Sequence, residues 1–380
     1  MRILLVGDYP RDARLGSTKV LVKLQEEFRA LGHVCDLLLA DDLGVHPRNA
    51  HLRRAFAPVN ALVAVHRASR ANGRYDVIDV TSAEGLWIAA LRRAGVLRGT
   101  TVIARSNGLE HLDYQRMLDD HDHGLLRKPW SRRLLYPAVR LSQVAAAARA
   151  ADRLILLNEV DRDFALGRRW KTRDRIDVVS HGISSLFFAD APPREARRGR
   201  GILFCGSWAA VKGVTYLAAA FSAMVASGSG ANLTVLGGGV PEEAIGSAFE
   251  PHARPYVTII GRAPEPEVMA AYRTHDVLAW PSTYEGFGMV LIEAMSQRLP
   301  VVATPVGCAR ALVRHERTGL VVPPRNPGAL AAALTRALDD ASLRTRLADA
   351  AFDAVRDMTW TRTAQATLAV YAKALANGHA

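Results

Sequence analysis

Short runs of Val, Ile and Leu, closed by Gly, Pro or Ser and mostly followed by helical spacing, recur along this 380-residue chain. Ile3–Val6 ends at Gly7, and Val20, Leu21, Leu24 and Phe28 then share one face of a helix expected between Gly16 and Leu31. Further buried-strand candidates are His33–Leu39, Asp76–Val80, Thr101–Ala104, Arg153–Leu157 and Ile176–Val179. Strands covered on both faces read as continuous apolar runs, and the helices between them act as right-handed crossovers. The expectation is an α/β fold built on a mostly parallel sheet.

The length exceeds what one hydrophobic core usually supports, which favours two domains. From Asp190 to Arg200 the chain loses all apolar periodicity, as an exposed linker would. A second series follows, with strands expected at Ile202–Cys205, Leu233–Leu236, Val257–Ile260, Val277–Trp280, Val301–Ala303 and Leu320–Val322. Beyond Ser342 the spacing predicts two helices broken near Met358-Thr359-Trp360, and the Ala-rich stretch Val144–Ala148 reads as a buried helix face. The reading is therefore an N-terminal domain over 1–189, a linker over 190–200, a C-terminal domain over 201–357, and a helix over 358–380 that packs back on the first domain. Ligands of such sheets lie beyond the carboxyl ends of the strands, so the chemistry is expected in the cleft between two doubly wound domains.

With 49% hydrophobic and 23% charged residues the chain has the balance of a soluble globular protein. A net charge of +12 favours polyanions, whether nucleic acid, an anionic membrane or phosphorylated small molecules. No helix-turn-helix or aromatic-basic platform supports nucleic acid. Cys35, Cys205 and Cys308 lack metal or redox spacing, which points to a reducing compartment. The first residues are unlike a signal peptide and no run is long enough to span a bilayer, so a cytoplasmic protein is expected. The stretch Leu125–Arg153 sets Arg127, Lys128, Arg132, Arg133, Arg140, Arg149 and Arg153, against only Asp152, among Trp130, Leu134, Leu135 and Tyr136. It reads either as an ordinary solvated helix or as a surface resting on an anionic membrane. His121-Asp122-His123-Gly124 lacks a third ligand at metal spacing and reads as a loop.

The segment richest in chemistry is Pro281-Ser282-Thr283-Tyr284-Glu285-Gly286-Phe287-Gly288-Met289-Val290-Leu291-Ile292-Glu293. It leaves a strand and opens a helix. Gly286 and Gly288 allow close backbone approach, and amides at a helix N-terminus bind anions or hydroxyls. Glu285 and Glu293 are acceptors suited to two separate polyols. A pair at this spacing alone would be a solvated helix face; the strand, the Pro-Ser turn and the glycines around it point to a ligand site. In the loop Gly206-Ser207-Trp208-Ala209-Ala210-Val211-Lys212-Gly213, Lys212 provides a cation suited to a pyrophosphate.

This stretch resembles the donor-binding segment of family 4 retaining glycosyltransferases, with its Glu-x7-Glu motif after a Pro-Ser turn. Leu15-Gly16-Ser17, Ala30-Leu31-Gly32-His33, Ser180-His181-Gly182-Ile183, Leu236-Gly237-Gly238-Gly239, Gly319-Leu320-Val321 and the Trp360 region extend the resemblance along the chain. Two positions depart from the pattern: Ser207 stands where the family usually has Arg, and Asn107, before Gly108-Leu109-Glu110, where it usually has His. Asn107 cannot shuttle a proton and would position a sugar hydroxyl. His111 reads as a satisfied structural histidine.

The resemblance implies two facing Rossmann-like domains with an interdomain cleft, the glycosyltransferase B-type fold. It implies sugar transfer from a nucleotide-diphosphate sugar to a glycan, lipid-linked or small-molecule acceptor, with retention at the anomeric carbon and with neither metal nor cofactor. Glu285, Lys212 and Asn107 would be catalytic. Gly16, Ser207, Lys212, Gly261, Arg262, Glu285, Gly286, Phe287, Gly288, Met289, Val290 and Glu293 would bind the donor, Glu293 through the ribose and Lys212 through the pyrophosphate. Gly16 and Asn107 with their loops would present the acceptor. The alternative, motivated by Ser207 and Asn107, is a non-catalytic nucleotide-sugar-binding subunit of the same fold.

Overall fold

The computed structural model describes residues 1–12, 15–44, 49–122, 124, 129–189 and 199–377. The chain divides into two compact units, one of Met1–Gly182 with Trp360–Ala380 and one of Ile183–Thr359.

The first unit holds a six-stranded sheet of β1 (Arg2–Val6), β2 (Val34–Leu38), β3 (Val77–Thr81), β4 (Thr101–Arg105), β5 (Arg153–Leu156) and β6 (Ile176–Val178), in the order β2-β1-β3-β4-β5-β6. All pairings are parallel, with Ile3 opposite both Cys35 and Val77. Leu4, Val6, Ile78, Val80, Val102 and Leu154 fill the core, and Val144, Ala145 and Ala148 of the Ser142–Ala150 helix pack into it. Arg105 forks onto Asp79 from β4 to β3, with both side chains fully buried. The closing helix, Trp360–Asn377, belongs to this unit, where the Tyr371 hydroxyl donates to Asp79 Oδ2 at 2.6 Å.

The second unit repeats the principle with β7 (Gly201–Cys205), β8 (Asn232–Leu236), β9 (Val257–Ile260), β10 (Val277–Trp280), β11 (Val301–Ala303) and β12 (Leu320–Val321). Their order is β12-β11-β10-β7-β8-β9, all parallel, so the sequence of strands reverses direction between β7 and β10. That reversal is the switch point at which open α/β sheets hold ligands. Ile202, Phe204, Leu217, Phe221, Leu233 and Val277 lie in its core.

The units divide at Gly182/Ile183, seven residues before the expected end of the first domain, and at Thr359/Trp360 rather than after 357. Local bonding explains both positions. Ile183 pairs with Thr359 and its amide donates to Met358 O at 2.8 Å, while Phe187 is fully buried and its carbonyl accepts from Gln297 Nε2. Of the expected linker, 190–198 lie outside the described residues.

Candidate functional site

In the second unit three loops leave the carboxyl ends of adjacent strands β7, β10 and β11 and are stitched together. The Thr283 amide donates to Val211 O at 2.8 Å, the Cys308 amide to Phe287 O at 2.7 Å, and Thr304 Oγ1 to Ser282 O at 2.5 Å. Gly213 has φ +71°, and a Cβ there would stand 2.0 Å from Pro281 O, so only glycine lets the two loops meet. This contact brings Lys212 to the Pro-Ser turn. Lys212 Nζ lies 2.5 Å from Glu285 Oε1, which also accepts from Ser282 Oγ at 2.9 Å. The carboxylate is nearly buried and the ammonium partly open. Both donors converge on Oε1, so Oε2 and the remaining ammonium protons stay available to a ligand.

Gly288 caps the Met289–Ser296 helix at φ +104°, and its missing Cβ makes room for Trp280, whose Cζ2 would lie 2.7 Å away. Phe287 is buried beneath the loop. Glu293, on the same helix, is only 7% exposed, with Tyr272 OH donating to its Oε2 at 3.2 Å. It is therefore not part of a solvated helix face. Nothing in the spacing pointed to Tyr272, whose hydroxyl also meets Cys205 Sγ at 3.6 Å; burial raises its pKa well above the ordinary range and keeps it a donor.

Ser207 is exposed, and Arg262 lies over the glycine turn after β8, its Nη2 3.2 Å from where a Cβ on Gly239 would stand. Gly261 is likewise exposed, on the segment leaving β9. The structure thus brings together Lys212, Ser282 and Glu285, while Ser207 and Arg262 sit on the flanking loops.

Gly16 and Asn107 belong to the first unit. Gly16 opens the Gly16–Ala30 helix, and a side chain there would meet nothing within 4 Å. Asn107 follows β4; its Nδ2 donates to Tyr9 OH at 3.4 Å, and its Oδ1 is buried without a hydrogen-bond partner. Burial pushes the Tyr9 pKa to about 12, so the phenol stays neutral.

Beside them, beyond the ends of β3 and β4, lies an ionic ring that sequence reasoning missed. Arg140 bridges Glu84 at 2.8 Å and Glu110 at 3.0 Å, and Tyr136 OH donates to Glu110 Oε2 at 2.7 Å. Ser82 also donates to Glu110 and holds a positive φ of 55°, a conformation costly for a non-glycine residue. Arg140 is therefore a buried tie, not one more charge on a solvated face. Arg153 is likewise tied, to Asp177 at 2.8 Å. Arg127, Lys128 and His123 lie outside the described residues. Among those described, no group of three or more His, Cys, Asp or Glu is arranged to hold a metal.

His111 departs from the expectation of a satisfied histidine. It packs edge-on to Trp170, with centroids 4.8 Å apart, and its Nδ1 is buried without a hydrogen-bond partner. Burial holds its pKa down at about 4, so the ring is neutral near pH 7.

Residues 199–340 match the family model described as glycosyl transferases group 1. D-inositol 3-phosphate glycosyltransferase of Kineococcus radiotolerans is 31% identical over 268 residues, 63% of this chain and 61% of that protein. The protein of the same name from Corynebacterium glutamicum is 31% identical over 221 residues, 54% and 53%. The chain thus spans little more than half the length of these curated relatives. Among solved structures, sucrose-phosphate synthase from Thermosynechococcus elongatus superposes with a TM-score of 0.78 at 20% identity, covering 99% of both chains. HepE of Anabaena in complex with UDP-glucose gives 0.70 at 16% identity, covering 99% of this chain and 100% of that one. These likenesses show the fold, that of the B-type glycosyltransferases. The part of the chain that matches the group 1 glycosyl transferase model is thus the domain built around the Lys212–Glu285 loops.

Proposed function

We propose that the chain transfers a sugar, with retention and without a metal or cofactor, from a nucleotide-diphosphate sugar to a hydroxyl acceptor. The observation that carries this reading is the convergence of Lys212, Ser282 and Glu285 at the switch point between β7 and β10. The Lys212 ammonium has three protons; one meets Glu285 and the others serve the diphosphate as it departs. Glu285 Oε2 accepts from a hydroxyl of the sugar, and the amides opening the Met289–Ser296 helix complete the cradle. Glu293, steadied by Tyr272, takes the ribose hydroxyls. In the first unit Asn107 and the open helix start at Gly16 receive the acceptor. Since HepE was solved with UDP-glucose and the curated relatives are named for inositol 3-phosphate, a uridine donor and a phosphorylated polyol acceptor are the first pair to test.

The test is steady-state kinetics of Glu285→Gln beside its melting curve. Removing the charge while keeping the shape is expected to lower turnover about 10-fold or more, one charged interaction, with the melting temperature nearly unchanged. Full activity would remove Glu285 from the site. Donor binding without any hydrolysis or transfer by the native chain would establish the binding-subunit alternative.

Peripheral contact with an anionic membrane, from the cytoplasmic side, has its own support. On the Ala50–Asn72 helix Leu52, Phe56, Val59 and Val63 form an exposed stripe, and nearby Trp130 and Leu134 are 67% and 65% exposed. Arg54 against the Tyr136 ring and Gln143 on Ala55 O link the two regions. Arg67, Arg70 and Arg133 fringe them, so a second copy would set like charges face to face while an anionic bilayer complements them. No described helix is long and apolar enough to cross a membrane. Co-sedimentation with phosphatidylglycerol vesicles should be lost in Phe56→Asp/Leu134→Asp; undiminished binding would overturn this contact.

A further inference from the structure

On the first unit a groove of about 480 Å³, lined by none of the residues assigned above to sugar transfer, runs between the Glu110–Asp122, Ser142–Ala150 and Glu159–Gly167 helices. This volume falls within the range of pockets that hold small organic ligands. Three rings line one side. His111 stands 4.8 Å from Trp170 and 5.7 Å from Phe164, and Phe164 meets Trp170 nearly edge-on at 5.7 Å. Leu118, Pro137, Leu141 and Ala145 are the aliphatic part of the wall, and Tyr114, Gln115 and Ser142 also line it. The polar groups are unevenly signed. Arg149 and Arg168 both line the groove, no acid does, and neither arginine has a carboxylate partner among the described residues. Arg149 Nη2 donates to Arg168 O at 3.3 Å, so the Arg149 guanidinium reaches the backbone from which the Arg168 side chain starts, and Arg168 lies 5.3 Å over the Phe164 ring.

Cations near the ends of helices also favour the helix dipole, and both arginines are so placed. That accounts for charge at these positions. It does not account for an aromatic wall left open beside them, nor for a buried His111 Nδ1 that finds no hydrogen bond within the protein.

We propose that this groove binds an organic phosphate with an apolar body, the phosphate on the Arg149 and Arg168 guanidinium groups and the body along Leu141, Ala145 and the three rings. The planar fork of arginine fits two phosphate oxygens at once, which favours phosphate over a single-point anion. The rings and the aliphatic residues favour an apolar body over inorganic phosphate, which would leave them uncovered. Such a ligand is either a soluble amphiphile or a lipid headgroup, and the chemistry of the groove is common to both.

The experiment is calorimetric titration of the full-length protein with dodecyl phosphate below its micelle concentration, beside dodecyl maltoside and inorganic phosphate. No nucleotide-sugar is present, so the outcome is independent of the sugar-transfer reading. Saturable binding of one dodecyl phosphate is expected, with neither control binding comparably. Arg149→Gln/Arg168→Gln should weaken it about 10-fold or more, since both charged contacts are lost. Ala145→Trp, which fills the groove, should abolish it. The arginines are exposed, so the double variant should keep its melting temperature even if Ala145→Trp does not fold. A parallel arm with phosphatidic acid vesicles names the source: variant-sensitive binding to dodecyl phosphate alone assigns a soluble ligand, and to vesicles a lipid. No binding in either arm, equal binding of dodecyl maltoside, or equal affinity in the arginine double variant would overturn the proposal.

Discussion

Gly213 shows how much of a site rests on an atom that is absent. Its left-handed backbone and the 2.0 Å clash that a Cβ would make with Pro281 O mean that Lys212 reaches Glu285 only because residue 213 is glycine. Gly213→Ala is expected to cost about 1–3 kcal/mol for the conformation alone, and more for the clash. A lowered melting temperature together with weakened nucleotide-sugar binding would bear this out; a variant that keeps both would show that the loops can part without loss. Lys212→Ala tests the cation itself and should raise the donor concentration needed while leaving folding intact, since the ammonium is partly exposed. At this scale the sequence was legible where chemistry and local spacing coincide, in Pro281–Glu293 and Lys212. It was opaque where a partner comes from afar. Tyr272 under Glu293 and Glu84 on Arg140, 56 residues away, leave no periodic trace.

Elements were easier to read than their partners. The apolar runs predicted the strands to within about a residue or two, because a strand buried on both faces has no polar positions to blur its limits. Alternation alone carries no strand order, so the reversal between β7 and β10 that locates the site had to come from the structure. The closing helix illustrates the same division. Val370, Tyr371 and Ala374 were recognisable as an apolar face, whereas the bond from Tyr371 to Asp79 spans 292 residues. Asp79 is fully buried and already carries Arg105, so Tyr371→Phe leaves a charged acceptor short of one donor. A loss of about 1.5–3 kcal/mol is expected, measured by urea unfolding followed by a probe in the first unit. An unchanged midpoint would mean that the helix is held by its packing on Phe28, 5.8 Å away, and not by the phenol.

For the molecule as a whole, buried titratable groups of the first unit tie stability to pH. His111 and His181 are both held neutral by burial, with pKa values near 4 and 3, against 6.5 in an unfolded chain. Between those values the unfolded chain binds protons that the folded unit refuses, so stability is lost as pH falls from about 6.5 toward 4. Asp161 opposes them. Burial raises its pKa from 3.8 to about 7, and its Oδ2 has no hydrogen-bond partner. The folded unit takes up that proton first, so this carboxyl adds stability as pH falls from 7 to 4 and removes it as pH rises. His33, held down by burial, and Glu110, held down by Arg140 despite its burial, act with the two histidines, while Glu84, raised by burial, acts with Asp161. Asp161→Asn should remove the opposing contribution: the variant should be the more stable above pH 7, by at most about 1.4 kcal/mol per pH unit of the window it no longer crosses. Its stability should then fall more steeply than that of the native chain below pH 6.5. Melting curves of both proteins from pH 4.5 to 8 decide the matter, and two parallel profiles would mean that Asp161 is ionised in the fold across this range.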